Sequence, residues 1–116
     1  ADVRVVNISS GAGRSPTAGW GVYCATKAAL DMYTRVARLE APQAKLVSLA
    51  PGVIDTAMQA TIRSGNTDDF PDLARFNTLN ETGALRSPDA VAASILRYVY
   101  SKDFASKELD DIRQYS

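Results

Sequence analysis

Tyr23 and Lys27, a tyrosine and a lysine four residues apart, are the residues of this chain best suited to chemistry. On a helix this spacing places both side chains on one face, one turn apart. A free tyrosine has a pKa of about 10 and is therefore a poor acid or base at neutral pH. A nearby ammonium group stabilises a phenolate, and the positive end of a helix acts in the same direction. A tyrosine in this setting can give a proton to a carbonyl oxygen or take one from an alcohol.

A serine at the end of a predicted strand, Ser10, precedes this pair. Its hydroxyl could hold a substrate oxygen while negative charge develops there, and Gly11 and Gly13 allow a sharp turn after it. An isolated Tyr-x-x-x-Lys pair is a weak signal, because a solvated helix surface also carries such residues. The pair is far more specific when it follows a strand ending in Ser10 and a Gly-rich loop, and precedes a strand ending in Ala-Pro-Gly.

Hydrophobic periodicity indicates the elements that would position these residues. Residues 3–8 are rich in β-branched side chains and predict a buried strand, and residues 9–21 predict a loop. Apolar residues recur at helical spacing over 22–39 and cover more than one face. This predicts a long helix that is buried on two sides and ended by Pro42.

The second part of the chain continues the alternation of strands and helices. Residues 45–50 predict a strand closed by Pro51-Gly52, and residues 56–63 and 73–79 predict short helices. Ser87-Pro88-Asp89 indicates a helix start, with an apolar stripe up to about Tyr100. Residues 109–115 predict a last short strand. This order predicts an α/β fold, a parallel sheet with helices on both faces, and specifically half of a doubly wound sheet.

Composition excludes several classes of function. Thirteen basic residues balance thirteen acidic ones, so no nucleic acid or other polyanion is expected as a partner. The absence of histidine excludes a histidine base, and a single cysteine, Cys24, makes a metal site unexpected. Cys24 fits a reducing compartment, and no apolar run reaches the length of a membrane span. We therefore expect a cytoplasmic protein without a membrane segment.

These motifs resemble the second half of a short-chain dehydrogenase/reductase. The matching segments are Asn7-Ile8-Ser9-Ser10, Tyr23-x-x-x-Lys27 and Pro51-Gly52-x-x-x-Thr56. The resemblance implies the C-terminal catalytic half of a Rossmann-type domain over residues 1–116. It also implies that Ser10 orients and polarises a substrate carbonyl, that Tyr23 donates the proton, and that Lys27 assists Tyr23 and binds the nicotinamide ribose. An enzyme that reduces a carbonyl with NADP is the implied activity, and NAD is not excluded.

Residues 19–25 and 51–59 more narrowly resemble the sepiapterin reductases and benzil reductases of that family. The resemblance implies the following cofactor-binding residues: Tyr23, Lys27, Pro51, Gly52, Val53, Ile54, Asp55, Thr56, Ala57, Met58 and Gln59. For the substrate, a pterin side-chain ketone or an aromatic diketone, it implies Ser10, Tyr23, Gly52 and Asp111. Asp111 would hold a pterin amino group. A shift of one residue would choose Asp110, and a solvated strand end is the alternative for both aspartates.

The family's first half has no counterpart in these residues. The Gly-rich turn that cradles the cofactor pyrophosphate, the residues that select NAD or NADP, and a tetrad asparagine are all missing. We therefore expect the N-terminal cofactor-binding half to be absent and the 116-residue fragment alone to be inactive. A non-catalytic binding or regulatory protein with the same fold is the alternative to the enzyme. The resemblance also implies a homodimer or homotetramer paired through the long helix.

Overall fold

The computed structural model describes residues 2–52 and 86–115. In these residues the elements are strand β1 (Arg4–Ile8), helix α1 (Gly21–Glu40), strand β2 (Lys45–Ala50), helix α2 (Pro88–Val99) and strand β3 (Leu109–Asp111). Short 3-10 helices, Gly11–Gly13 and Ile112–Gln114, follow β1 and β3. The predictions made for residues 53–85, which include two short helices and the cofactor residues Val53 to Gln59, lie outside the described residues.

The described strands form one parallel sheet in the order β1-β2-β3. Val6 lies opposite Val47 and Leu49 opposite Asp110. The predicted α/β class with a parallel sheet is therefore confirmed. Because the strands are parallel, their carboxyl ends share one edge, which is where α/β sheets bind ligands. The residues that follow these ends include Ser10 after β1, Gly52 after β2 and Arg113 after β3.

One face of the sheet is apolar and carries the core. Side chains along a β-strand alternate between the two faces of the sheet, so every second strand residue points to this face. Buried side chains from β2, α2 and the segments around β3 form the cluster: Val47, Leu49, Tyr98, Phe104 and Ile112. Val6 of β1 packs against it. Apolar burial on this face therefore fixes α2 against the sheet.

The opposite face, which is covered by α1, is mixed: the polar residues Asn7 and Ser48 share it with the buried Leu46 and Ala50. Asn7 of β1 donates a hydrogen bond to Thr34 of α1 at 2.9 Å. Ser48 of β2 donates to Asp31 of α1 at 2.5 Å, and Asp31 and Ser48 are both buried. The sequence shows this as the alternation of polar Asn7 and Ser48 with apolar strand neighbours. Directional hydrogen bonds therefore contribute to holding α1 on the sheet.

Helix α1 does not show the two-sided burial that its sequence predicts. In the described residues its buried positions are Asp31 and Thr34. A stripe of large apolar side chains is exposed on α1: Val22, Met32, Tyr33, Val36 and Leu39. In the described residues α1 thus places Asp31 and Thr34 against the sheet, and burial of its apolar stripe stays a prediction.

Helix α2 begins as its sequence predicts. Ser87 has extended backbone angles, and its hydroxyl accepts a hydrogen bond from the Ala90 amide at 3.1 Å. Pro88 fills the first helical position, where a missing amide hydrogen costs nothing. The helix ends at Val99, next to the predicted end at about Tyr100.

The last strand is shorter than residues 109–115, and this prediction is corrected. β3 ends at Asp111, whose side chain accepts a hydrogen bond from the Arg113 amide at 2.9 Å and caps the 3-10 helix Ile112–Gln114. Ile112 is fully buried in the core. The local cap and the burial of Ile112 turn the chain, and they outweigh the strand propensity of an isolated apolar residue.

Candidate active site

Tyr23 and Lys27 occupy the first two turns of α1, on the same side of the helix. Lys27 Nζ lies 5.7 Å from the centre of the Tyr23 ring. The Tyr23 ring packs edge-on against Trp20, with 5.2 Å between ring centres. Both Tyr23 and Lys27 are half-buried. The phenol therefore lies beside an ammonium group and near the positive end of a twenty-residue helix.

Lys27 connects this helix to the strand that precedes Ser10. Its Nζ donates a hydrogen bond to the carbonyl oxygen of Ile8, the last residue of β1, at 3.0 Å. An ammonium group has three N–H donors, and this contact uses one of them. The remaining donors suit hydroxyl groups such as those of a ribose.

Ser10 begins the turn that follows β1. Its backbone is extended and its Oγ accepts a hydrogen bond from the Ala12 amide at 3.1 Å, which caps the 3-10 helix Gly11–Gly13. A hydroxyl that accepts one hydrogen bond still has its own O–H to donate. Ser10 is half-buried. The described contacts thus leave the O–H of Ser10 available as a donor.

The Ser10 turn lies directly on α1 at Gly13. A Cβ atom at this position would lie 2.9 Å from the carbonyl carbon of Lys27 and 3.0 Å from Asp31 Oδ2. Such contacts with helix backbone cannot be relieved by rotating a side chain. The missing side chain of Gly13 therefore sets the distance between the Ser10 turn and the helix that carries Tyr23 and Lys27.

Replacing Gly13 by Ala is expected to destabilise the fold by about 1–3 kcal/mol, the usual cost of overpacking. It should also reduce any activity that depends on Ser10 and Lys27 together, because the turn must move away from α1. Urea denaturation measures the first effect. Gly11→Ala is the matched control, since a Cβ there meets no atom within 4 Å. Equal stability of the two variants would contradict the close packing of Gly13.

A buried polar network supports this junction, and none of the sequence motifs above indicated it. Asp31 accepts hydrogen bonds from Ser9 Oγ at 2.6 Å and Ser48 Oγ at 2.5 Å, and forms an ion pair with Arg14 at 3.3 Å. Arg14 also donates to the carbonyl oxygens of Ser48 at 2.9 Å and Asp110 at 2.7 Å. Asp31 continues the Tyr23–Lys27 spacing by another four residues, and this signal could have revealed it.

Gly52, two residues after the end of β2, has a positive φ of 79°, a backbone conformation that residues other than glycine rarely adopt. A Cβ atom at this position would also lie 3.3 Å from Cδ of Arg113. The turn after β2 is therefore specific for glycine on two grounds. It brings the backbone of Pro51-Gly52 beside the segment that follows β3.

Asp110 and Asp111 have different environments at the end of β3. Asp110 is buried and accepts hydrogen bonds from Tyr98 at 3.1 Å and Tyr115 at 2.6 Å. The hydrogen bond to Asp110 raises the pKa of Tyr115 to about 12. Asp111 is half-buried and its carboxylate pairs with Arg113. Of the two aspartates, Asp111 is therefore the more exposed.

The pairing of Asp111 with Arg113 involves both carboxylate oxygens. Arg113 Nε lies 2.9 Å from Oδ1 and 3.1 Å from Oδ2, and Nη2 also donates to Oδ2. Hydrogen bonds from Arg113 hold the pKa of Asp111 below its usual value, against the opposing effect of burial. The same contact raises the pKa of Arg113. Both groups are therefore charged near neutral pH.

The described residues thus bring most of the candidate site together. Lys27 lies beside Tyr23 and bonds to Ile8, two residues before Ser10, and Gly52 and Asp111 stand at the ends of the neighbouring strands. In the described ranges, no group of three or more His, Cys, Asp or Glu side chains could hold a metal ion. Neither described helix is long and apolar enough to cross a membrane.

Comparison with known proteins identifies the class to which this fold and site belong. The short chain dehydrogenase family profile matches residues 2–67, more than half of the chain. The chain therefore belongs to the short-chain dehydrogenase/reductase family. Its fold is that of the family's Rossmann-type enzymes. The crystal structure of a short-chain dehydrogenase/reductase from Saccharomyces cerevisiae matches with a TM-score of 0.77 at 28% identity, covering 94% of this chain and 45% of that chain.

Among curated proteins, the chain is similar to two kinds of reductase. It is 45% identical over 115 residues to the benzil reductase ((S)-benzoin forming) of Bacillus subtilis (strain 168), covering 96% of this chain and 47% of that protein. It is 41% identical over 103 residues to the sepiapterin reductase of Rattus norvegicus, covering 88% of this chain and 38% of that protein. The chain thus spans less than half the length of these relatives. The resemblance stated from the sequence motifs is confirmed.

Proposed function

We propose that this chain is the C-terminal catalytic half of an NADP-dependent carbonyl reductase of the sepiapterin and benzil reductase type. The observation that supports the proposal is the position of Lys27, which lies beside Tyr23 and bonds to Ile8 at the carboxyl end of β1, two residues before Ser10. A domain that acted by association alone would not need these three side chains at one strand end.

Each of the three residues has a distinct role in the proposed reaction. The nicotinamide supplies the hydride when it is bound. Ser10 donates its O–H to the substrate carbonyl oxygen and so stabilises the negative charge that develops there. Tyr23 gives its phenolic proton to the same oxygen, which becomes the product hydroxyl. Lys27 stabilises the resulting phenolate by its positive charge, and the amino end of α1 contributes in the same direction.

The described residues fit a nicotinamide cofactor. Lys27 retains N–H donors beyond its contact with Ile8, and these suit the ribose hydroxyls. Gly52, which has no side chain, lets the backbone after β2 approach a flat ring closely. We assign Tyr23, Lys27 and residues 51–59 to cofactor binding. NADP is the proposed cofactor because residues 51–59 resemble the segment with which sepiapterin reductases bind NADP. NAD is the alternative.

Two substrate classes follow from the relatives. The Bacillus subtilis protein is a benzil reductase, and the rat protein is a sepiapterin reductase. We therefore propose an aromatic diketone or a pterin side-chain ketone as substrate. Ser10, Tyr23 and Gly52 would face the reacting carbonyl, and Asp111 would contact the far end of the molecule.

We also propose that the whole protein is a cytoplasmic homodimer or homotetramer. The support for assembly is the exposed apolar stripe on α1, where Val22 and Leu39 are each more than four-fifths exposed. Burial of such side chains between two copies would be favourable. The alternative is that other parts of the same protein cover this stripe. The free cysteine Cys24 suits the reducing cytoplasm.

The test is carbonyl-dependent oxidation of NADPH by the full-length protein, with benzil and sepiapterin as separate substrates and NADH in parallel. We expect reduction of at least one substrate, with a preference for NADPH. The alcohol product should be identified, since uncoupled NADPH oxidation would not count. Failure to reduce either carbonyl with either cofactor would overturn the reductase and favour the non-catalytic alternative.

A further inference from the structure

The arginine that follows β3, Arg113, lies at the candidate site and has no role in the function proposed so far. Its aliphatic stem lies against Gly52, since a Cβ there would be 3.3 Å from Arg113 Cδ and 3.4 Å from Cγ. Its guanidinium holds the carboxylate of Asp111. Arg113 therefore bridges the ends of β2 and β3 at the edge of the sheet that carries Ser10.

The contacts of Arg113 occupy the acceptor positions of Asp111. Oδ1 accepts from the backbone amide and Nε of Arg113, and Oδ2 accepts from Nε and Nη2. An ionised carboxylate has about four lone-pair positions. A substrate amino group that binds Asp111 must therefore displace the guanidinium.

The guanidinium itself remains open toward a ligand. The Arg113 side chain is 63% exposed, whereas that of Asp111 is 19% exposed. No described contact uses Nη1 of Arg113, so its two N–H groups can donate to a carbonyl oxygen. The planar group can also stack on an aromatic ring. At this edge of the sheet a ligand would thus meet the positively charged guanidinium of Arg113 and its N–H donors. The Asp111 carboxylate lies behind the guanidinium.

We propose that Arg113 determines substrate specificity: by covering Asp111 it selects an aromatic diketone over a pterin that needs a carboxylate for its amino group. This inference rests on the proposed reductase function and decides between its two substrate classes. Because the exposed ion pair is screened by water, the guanidinium can be displaced at moderate cost. Arg113 is therefore expected to lower, and not to abolish, the reduction of a pterin relative to an aromatic diketone.

The test compares kcat/KM for benzil and for sepiapterin in the full-length protein. Arg113→Ala is expected to raise the sepiapterin-to-benzil ratio about tenfold, the effect of restoring one hydrogen bond to a charged acceptor. Asp111→Asn should then lower sepiapterin kcat/KM by a larger factor in the Arg113→Ala background than in the wild type. Arg35→Ala is the matched control, because it removes an arginine paired with Glu108 at the opposite end of β3.

The outcomes separate the two levels of the proposal. An unchanged ratio in Arg113→Ala, or an equal effect of Asp111→Asn in both backgrounds, would overturn the role of Arg113 while benzil reduction upheld the enzyme. Absence of any reduction by the wild type would overturn the proposed function and this inference with it. Arg113→Lys keeps the charge but not the forked geometry. If Arg113 acts by covering Asp111, the sepiapterin-to-benzil ratio of this variant lies between those of the wild type and Arg113→Ala. Its ratio should match wild type if charge alone matters, which would overturn the inference.

Discussion

Tyr23→Phe in the full-length protein is expected to lower kcat/KM for carbonyl reduction by a factor of about 10²–10⁴, the usual contribution of a positioned proton donor. The substitution removes the phenolic O–H and leaves the ring. Without that group, the developing alkoxide must take its proton from water. The loss should appear in kcat more than in KM, because the proton is needed in the transition state.

The fold should tolerate this change. The Tyr23 ring packs edge-on against Trp20, and a phenylalanine ring keeps that contact. Thermal unfolding of the variant should therefore match that of the wild type. Tyr100→Phe is the control, since Tyr100 is an exposed tyrosine at the end of α2. A Tyr23→Phe protein that retained wild-type kcat with an intact fold would remove Tyr23 from the mechanism.

Asp31→Ala is expected to have the largest effect on stability, about 3–5 kcal/mol, because it leaves the buried partners of a charge unpaired. In the variant, the hydroxyl groups of Ser9 and Ser48 and one side of the Arg14 guanidinium lose their Asp31 partner. Asp31→Asn keeps an acceptor oxygen and should be destabilised less. Denaturant unfolding gives both values.

The stability that Asp31 contributes should also depend on pH. Burial raises its pKa, but hydrogen bonds from Ser48, Ser9 and Arg14 and the charge of Arg14 outweigh this effect. The pKa of the folded protein is therefore below the ordinary value of 3.8. A lowered folded pKa stabilises the fold fully above the unfolded pKa, and this contribution is lost as the pH falls through the folded pKa. The stability difference between the wild type and Asp31→Asn should accordingly shrink below pH 3.8.

The matched control for these measurements is Asp103→Ala. Asp103 is an exposed carboxylate in the turn after α2. Its removal should change stability by less than about 0.5 kcal/mol, as is usual for surface positions. If Asp31→Ala were as stable as Asp103→Ala, the network would not contribute to holding α1 on the sheet.

The elements whose signals are local were predictable from the sequence. The strand at Lys45–Ala50 has its predicted bounds, and α1 and α2 begin and end within a residue or two of prediction. Serine at the cap and proline at the first position of α2 act within one turn. The spacing of Tyr23 and Lys27 likewise needs only the helical repeat.

Features that depend on distant partners were not predictable in this way. Arg14 reaches the carbonyl oxygen of Asp110, 96 residues away in the chain. The apolar positions of α1 indicated burial, yet the side of the helix on the sheet is polar, because partners on β1 and β2 satisfy Asp31 and Thr34. Hydrophobic periodicity shows an apolar stripe and gives no indication of what covers it.

The two faces of β2 impose different mutational tolerance on adjacent residues. Val47 and Leu49 lie in the apolar core, where another aliphatic side chain of similar volume is accepted at modest cost. Ser48, between them, must supply a hydroxyl to Asp31 at 2.5 Å. Substitutions that the core accepts at Val47 and Leu49 are thus expected to be costly at Ser48. The helix that carries Tyr23 and Lys27 therefore rests in part on a strand position that requires a hydroxyl group.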